Sequence, residues 1–255
     1  MPWLRRRPRT TGFPRSANGA SSMHLWWEPA PPPATEVSAV LEIVEPPVVP
    51  HLYFWALQVS FVDRGRRVGG AHLGLQWYDR HPGSTAVNWG GYRDAGLRGP
   101  NATTGLRGPN ATTGLRGAMT SGELDGEPSP LPSATGNPNT RDYPWRAGTP
   151  YRLRIRGDGD GWWVGEVTDL VAGTTTAVRR LRGGGTHLVA PVVWSEVFAR
   201  CDDPTVTVRW SALDPTPASL RPTYQSHDQG GCANTASRPD PAGNGWLQET
   251  NVRRT

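Results

Sequence analysis

Lysine is missing altogether from this 255-residue chain, cysteine occurs twice, and neither a long apolar run nor a sustained helical period is found. Each shortage excludes something. All 27 basic residues are arginine, and the formal net charge is +5. That excess is local, because Arg5, Arg6, Arg7, Arg9 and Arg15 carry five positive charges before any acid occurs. The rest of the chain balances 22 arginines against 22 acids. A neutral body argues against a nucleic-acid surface, leaving only the arginine arm as a candidate for one. No run reaches the ~18 apolar residues of a helical membrane span. Thr10 to Ser22 is polar where an export signal needs about 7–15 apolar residues, so none is expected, and either Met1 or Met23 can serve as the start. Two distant cysteines and six histidines (His24, His51, His72, His81, His187 and His227) have no metal-ligand spacing, so neither metal nor cofactor is expected. Cys201 and Cys232 could be bonded, placing the protein in an oxidising, extracellular compartment, or be two thiols of a cytoplasmic one.

What is present is alternation. From Leu52 to Tyr92 one parity is apolar: Tyr53, Trp55, Leu57, Val59 and Phe61, then Leu73, Leu75 and Trp77, then Val87 and Trp89. The other parity holds Gln58, Ser60, His72, Gln76, Asn88 and Tyr92. A period of two sends these sets to opposite faces of a sheet. Glu36 to Ile43 alternates before this block. Strands at 151–156 and 162–169 follow it, then others at about 175–182, 187–199 and 205–212. Many strands without helices predict an all-β, two-sheet antiparallel, jelly-roll-like sandwich.

Three segments fall outside that pattern. Residues 1–34 form a basic arm ending in Pro31, Pro32 and Pro33, and residues 213–255 read as a loop-rich tail, which leaves 35–212 for the sandwich. Inside it, GLRGPNATT holds Asn101 and recurs letter for letter around Asn110, with a partial third copy from Gly114 to Gly117. Glycine, proline and asparagine in each copy predict an inserted loop over 97–117.

The series DYPWRAGTPYRLRI (142–155), GWWVGEVTD (161–169) and VVWSEVFA (192–199) resembles the back half of concanavalin A-like lectin and glucanase sandwiches. That resemblance implies one concave sheet with ligands lying across it. On this reading Gln58, His72, Gln76, Asn88, Tyr92, Trp194 and Glu196 line the concave face, and Gly70, Gly74 and Gly90 leave room on it. The expected function is non-catalytic binding of a polysaccharide or oligosaccharide. A glycoside hydrolase or lyase of the same fold is one alternative. It would draw its carboxylates from Glu123, Asp125, Glu127 or Glu196, although Gly126, Pro128 and Pro130 disfavour a strand around the first three. A structural or partner-binding domain using Arg152, Arg154 and Arg156 is the other. A cross-strand pair of Glu196 with Arg209 would explain Glu196 without any ligand.

Overall fold

In the computed structural model the chain is described over residues 20–93, 123–198, 203–225 and 236–250. Alternation there becomes two seven-stranded antiparallel sheets. Sheet 1 runs β12 (Ser219–Gln225), β1 (Ser21–Glu28), β10 (His187–Val197), β3 (Tyr53–Asp63), β4 (Arg66–Trp77), β5 (Thr85–Arg93), β6 (Thr140–Asp142). Sheet 2 runs β13 (Ala236–Pro239), β14 (Trp246–Glu249), β11 (Thr207–Asp214), β2 (Glu36–Glu45), β7 (Pro150–Gly157), β8 (Trp162–Asp169), β9 (Thr174–Arg182). Helical geometry among the described residues is limited to a three-residue 3₁₀ turn, Pro82–Ser84, so no helix is long and apolar enough to cross a membrane. The all-β sandwich is the fold that the sequence predicts.

Turn chemistry fixes the registers. Between β3 and β4 only Arg64 and Gly65 intervene, both at positive φ (48° and 75°). Two left-handed residues make the tight hairpin whose twist matches its strands. It sets Trp55 opposite Leu75 and Leu57 opposite Leu73, so the apolar parity of both strands turns inward. Trp55, Trp89, Trp163 and Trp210 fill the space between the sheets at no more than 2% exposure. Gly165 on β8 is part of that packing, because a Cβ there would meet the Trp89 ring at 2.7 Å. One polar link crosses the interior. Gln248 accepts hydrogen bonds from Ser195 Oγ and from Trp210 Nε1 (2.9 Å), and its Nε2 donates to the Met23 carbonyl at 3.4 Å.

The sandwich extends beyond the expected 35–212. β1 lies in the supposed arm and sits between β10 and β12, with Trp26 Nε1 donating to Thr223 Oγ1 at 2.9 Å. β12, β13 and β14 come from the supposed tail. The pairing of Glu196 with Arg209 is also corrected. β10 and β11 belong to different sheets, and Arg209 instead bonds Glu42 and Asp240, each at 2.7 Å. The repeat insertion, Cys201 and Cys232 lie outside the described residues.

Candidate functional site

Sheet 1 has an outer face turned away from the core, and most of the residues singled out in the sequence share it. Strand register arranges them in rows. One row runs Arg221, Trp26, Val192, Gln58, His72, Gly90. The next runs Thr223, His24, Trp194, Ala56, Gly74, Asn88, Thr140, and a third runs Ser22, Glu196, Phe54, Gln76, Ala86, Asp142. Phe54 packs edge-on against Trp194 at 4.8 Å and against His72 at 5.5 Å. A small apolar cluster of Phe54, Ala56, Val192 and Trp194 therefore forms on the outer side of the sheet, separate from the main core.

Within this cluster the hydrogen bonds specify proton positions. Asn88 Nδ2 donates to Thr140 Oγ1 at 2.8 Å. Its Oδ1 is then the acceptor for His72 Nε2 at 3.1 Å, which makes His72 the Nε2–H tautomer and leaves Nδ1 as an acceptor. Gln58 accepts from Trp194 Nε1 at 3.2 Å, so its Nε2 is a donor. Gln58 and His72 are directly opposite each other. Among the described residues they place one uncommitted amide donor beside one uncommitted imidazole acceptor.

Burial sets the electrostatics. Desolvation pushes His72 down to about 4 against the opposing effect of its bond to Asn88. The same cause takes His24 down to about 4. Both rings are neutral at pH 7. His81, in the β4–β5 turn, is lowered by burial too, against the pull of Asp142 and Asp79.

Gln58, His72, Gln76, Asn88 and Trp194 are thus gathered on one face, all buried. Glu196 shares that face, half-buried, opposite Phe54 and Ser22. Tyr92 stands toward one corner, where its hydroxyl accepts from Arg67 Nη2 at 2.7 Å. The room expected over the glycines is filled from within. A Cβ on Gly70 would meet the Tyr92 hydroxyl at 2.9 Å, and one on Gly90 would meet Asn139 Cγ at 2.8 Å. His24, Trp26, Phe54 and Thr140 complete the face without having been singled out. Their signal lay in the parity of β1 and β3, which places Ser22, His24 and Trp26 opposite in direction to Met23, Leu25 and Trp27.

Glu123, Asp125 and Glu127 lie elsewhere, in a strap across the edges of both sheets. Leu124 N–H bonds the Gly91 carbonyl on β5 (3.1 Å), and Glu127 N–H bonds the Arg180 carbonyl on β9 (3.0 Å). Asp125 pairs with Arg93 at 2.8 Å and Glu127 with Arg180 at 2.7 Å. Gly159 and Gly161, at φ 77° and 74°, shape the β7–β8 turn. That turn borders a cleft of about 720 Å³ with Asp63, Asp160, Trp162 and Arg182 on its walls. One face of Trp162 is covered by the Arg180 guanidinium, 4.9 Å from the ring centre. Arg154 and Arg156 are tied to Glu36, Glu166 and Asp158.

No family model matches the chain, and no curated protein matches it. Solved structures do. Scytalido-glutamic peptidase with a peptide-based transition-state analog is 8% identical with a TM-score of 0.42, covering 92% of this chain and 98% of that one. The same peptidase with a transition-state analog inhibitor is 9% identical with a TM-score of 0.43 at the same coverage. SCP-B, an eqolisin-family peptidase in complex with the tripeptide Ala-Ile-His, is 8% identical with a TM-score of 0.42, again over 92% and 98%. Likeness at this level concerns chain layout and carries nothing about chemistry. These neighbours are glutamic peptidases, not concanavalin A-like lectins or glucanases, and the resemblance drawn from 142–155, 161–169 and 192–199 is corrected accordingly.

The expectation of carbohydrate binding rested on that resemblance and is withdrawn with it. The glycan-cleaving alternative fails on geometry. Asp125 and Glu127 are held in ion pairs in the strap, and Glu196 shares its row with Asp142 four strands away, about 19 Å at the spacing of neighbouring strands. Among the described residues, the row holding Gln58 and His72 has no carboxylate.

Proposed function

We propose that the protein is a polypeptide-binding β-sandwich that takes an extended segment across the outer face of sheet 1 and holds it without cleaving it. The observation that carries this reading is the Gln58–His72 pair. A peptide group offers one acceptor and one donor, and this pair offers a donor and an acceptor side by side. Two further amides, Gln76 and Asn88, share the face. Burying amides and imidazoles on the outer side of a sheet costs free energy that a solvated face would avoid, and such expense concentrates at functional sites. Hydrolysis needs a positioned acid or base to activate water. The row holding Gln58 has no carboxylate among the described residues, and its imidazole, His72, is held by burial at about 4, too weak a base to activate water at pH 7.

The test uses the full chain on an array of immobilised random decapeptides. Wild type is expected to retain a defined subset, and Gln58→Met, which keeps the side-chain length and removes the donor, is expected to lose it while folding normally by circular dichroism. Equal retention by the variant, or retention of nothing by the wild type, overturns the proposal. Mass spectra showing the captured peptides shortened would overturn the non-hydrolytic half of it.

A further inference from the structure

Where the edges of the two sheets meet, two arginines come together with little to neutralise them. Arg141, the middle residue of β6, is opposite the core residue Val87, so it points between the sheets. Arg179 on β9 is opposite Gly165, another core-facing position, and is 7% exposed. The strap closes over them, since a Cβ on Gly126 would lie 3.2 Å from the Arg179 guanidinium carbon. Each guanidinium has five N–H donors. Arg179 Nη2 donates to Asn139 Oδ1, and no further hydrogen bond or ion pair of either side chain is seen among the described residues. The Nε atoms of both are buried without a partner. Burial holds the Arg179 pKa below its ordinary value, the Arg141 charge adds to the lowering, and Glu123 opposes it. One carboxylate acting on the buried Arg179, with the half-buried Arg141 beside it, leaves a positive site. Buried charge without an acceptor is costly enough that such a site favours an anion.

We propose that Arg141 and Arg179 form an oxyanion-binding site, suited to a carboxylate or a phosphate-like group taken by a planar guanidinium fork. Its position suggests the source. Gly90 ends the row Gln58, His72, Gly90, and Asn139 packs over Gly90 while accepting from Arg179. Because both arginines point between the sheets, a peptide lying along that row reaches them by turning its terminal carboxylate round the sheet edge beside Gly90 and Asn139. This second step rests on the polypeptide-binding reading, whereas the anion site itself does not.

Thermal unfolding of the full chain is measured in sodium phosphate, sodium acetate and sodium chloride at matched ionic strength. At an anion concentration tenfold above its dissociation constant, phosphate or acetate is expected to raise Tm by about 3 °C over chloride. Arg141→Met keeps the packing stem, breaks no hydrogen bond seen among the described residues, and should abolish the shift; Arg179→Met should do the same. No shift with either anion, or an undiminished shift in Arg141→Met, overturns the site. The second arm compares captured decapeptides with free and with amidated C-termini. A preference of about tenfold for the free carboxylate, lost in Arg141→Met, supports the peptide-terminus assignment. Indifference to amidation alongside an intact phosphate shift overturns that assignment and leaves a site for free oxyanions. A phosphate shift with no peptide captured overturns the polypeptide reading and supports the arginine site alone.

Discussion

Acidification to pH 5 should destabilise this protein through two buried histidines. His24 and His72 are held neutral at about 4, against 6.5 for an imidazole in water. Between those values the unfolded chain binds protons that the native chain refuses. Stability therefore falls as pH falls through 6.5, and the loss is complete below about 4. One pKa unit is worth about 1.4 kcal/mol, so each ring removes about 2 kcal/mol between pH 7 and pH 5, and the two together about 4. A typical domain has only 5–15 kcal/mol in all. His81 works in the same direction. The lowered carboxyls of Asp169 and Asp240 titrate below 3.8, outside this window. The assay is urea unfolding followed by tryptophan fluorescence at half-unit pH steps, repeated on His24→Gln and His72→Gln. Each variant should remove about 2 kcal/mol of the pH dependence. A wild-type stability that changes by less than about 1 kcal/mol over this range, or a slope unaltered in both variants, would refute the reasoning.

Gln248→Leu should cost about 2–4 kcal/mol, since it leaves Ser195 Oγ, Trp210 Nε1 and the Met23 carbonyl without their shared partner inside the sandwich. Adding Ser195→Ala should recover part of that loss in urea titrations, and strictly additive losses would argue against the network. Gly165→Ala should lower stability by about 1–3 kcal/mol because its methyl group meets the Trp89 ring between two packed sheets. A Tm within a degree of wild type would show that the ring can move aside.

Strand identity was legible because the alternation of β3, β4, β5 and β7 is uninterrupted and their turns are rich in glycine. β1 was not, although Met23, Leu25 and Trp27 alternate with Ser22, His24 and Trp26. Its neighbours in sequence are polar or proline-rich, whereas its partners lie beyond residue 187. β12 was obscured by Pro222, which a strand at the end of a sheet tolerates. Local pattern specifies direction of side chains but not which sheet a strand joins. Hence Gln58, His72, Asn88 and Trp194 were assigned to one face, while Glu196 and Arg209 were paired across strands that the fold assigns to different sheets. The Arg141–Arg179 junction was invisible for the same reason, because 38 positions separate them and neither is in a recognisable motif.

The place of β1 constrains how the molecule can be made. It is flanked on one side by a strand that begins at Ser219, and Trp26 reaches across 197 positions to Thr223. Neither edge of β1 can be matched until residues 187–197 on one side and 219–225 on the other have left the ribosome, and β14 completes sheet 2 later still. Pairings this distant close slowly. During synthesis the greasy side of the aromatic hairpin must wait for its cover, so yield on expression should depend more on chaperone supply and growth temperature than on the final stability of the sandwich.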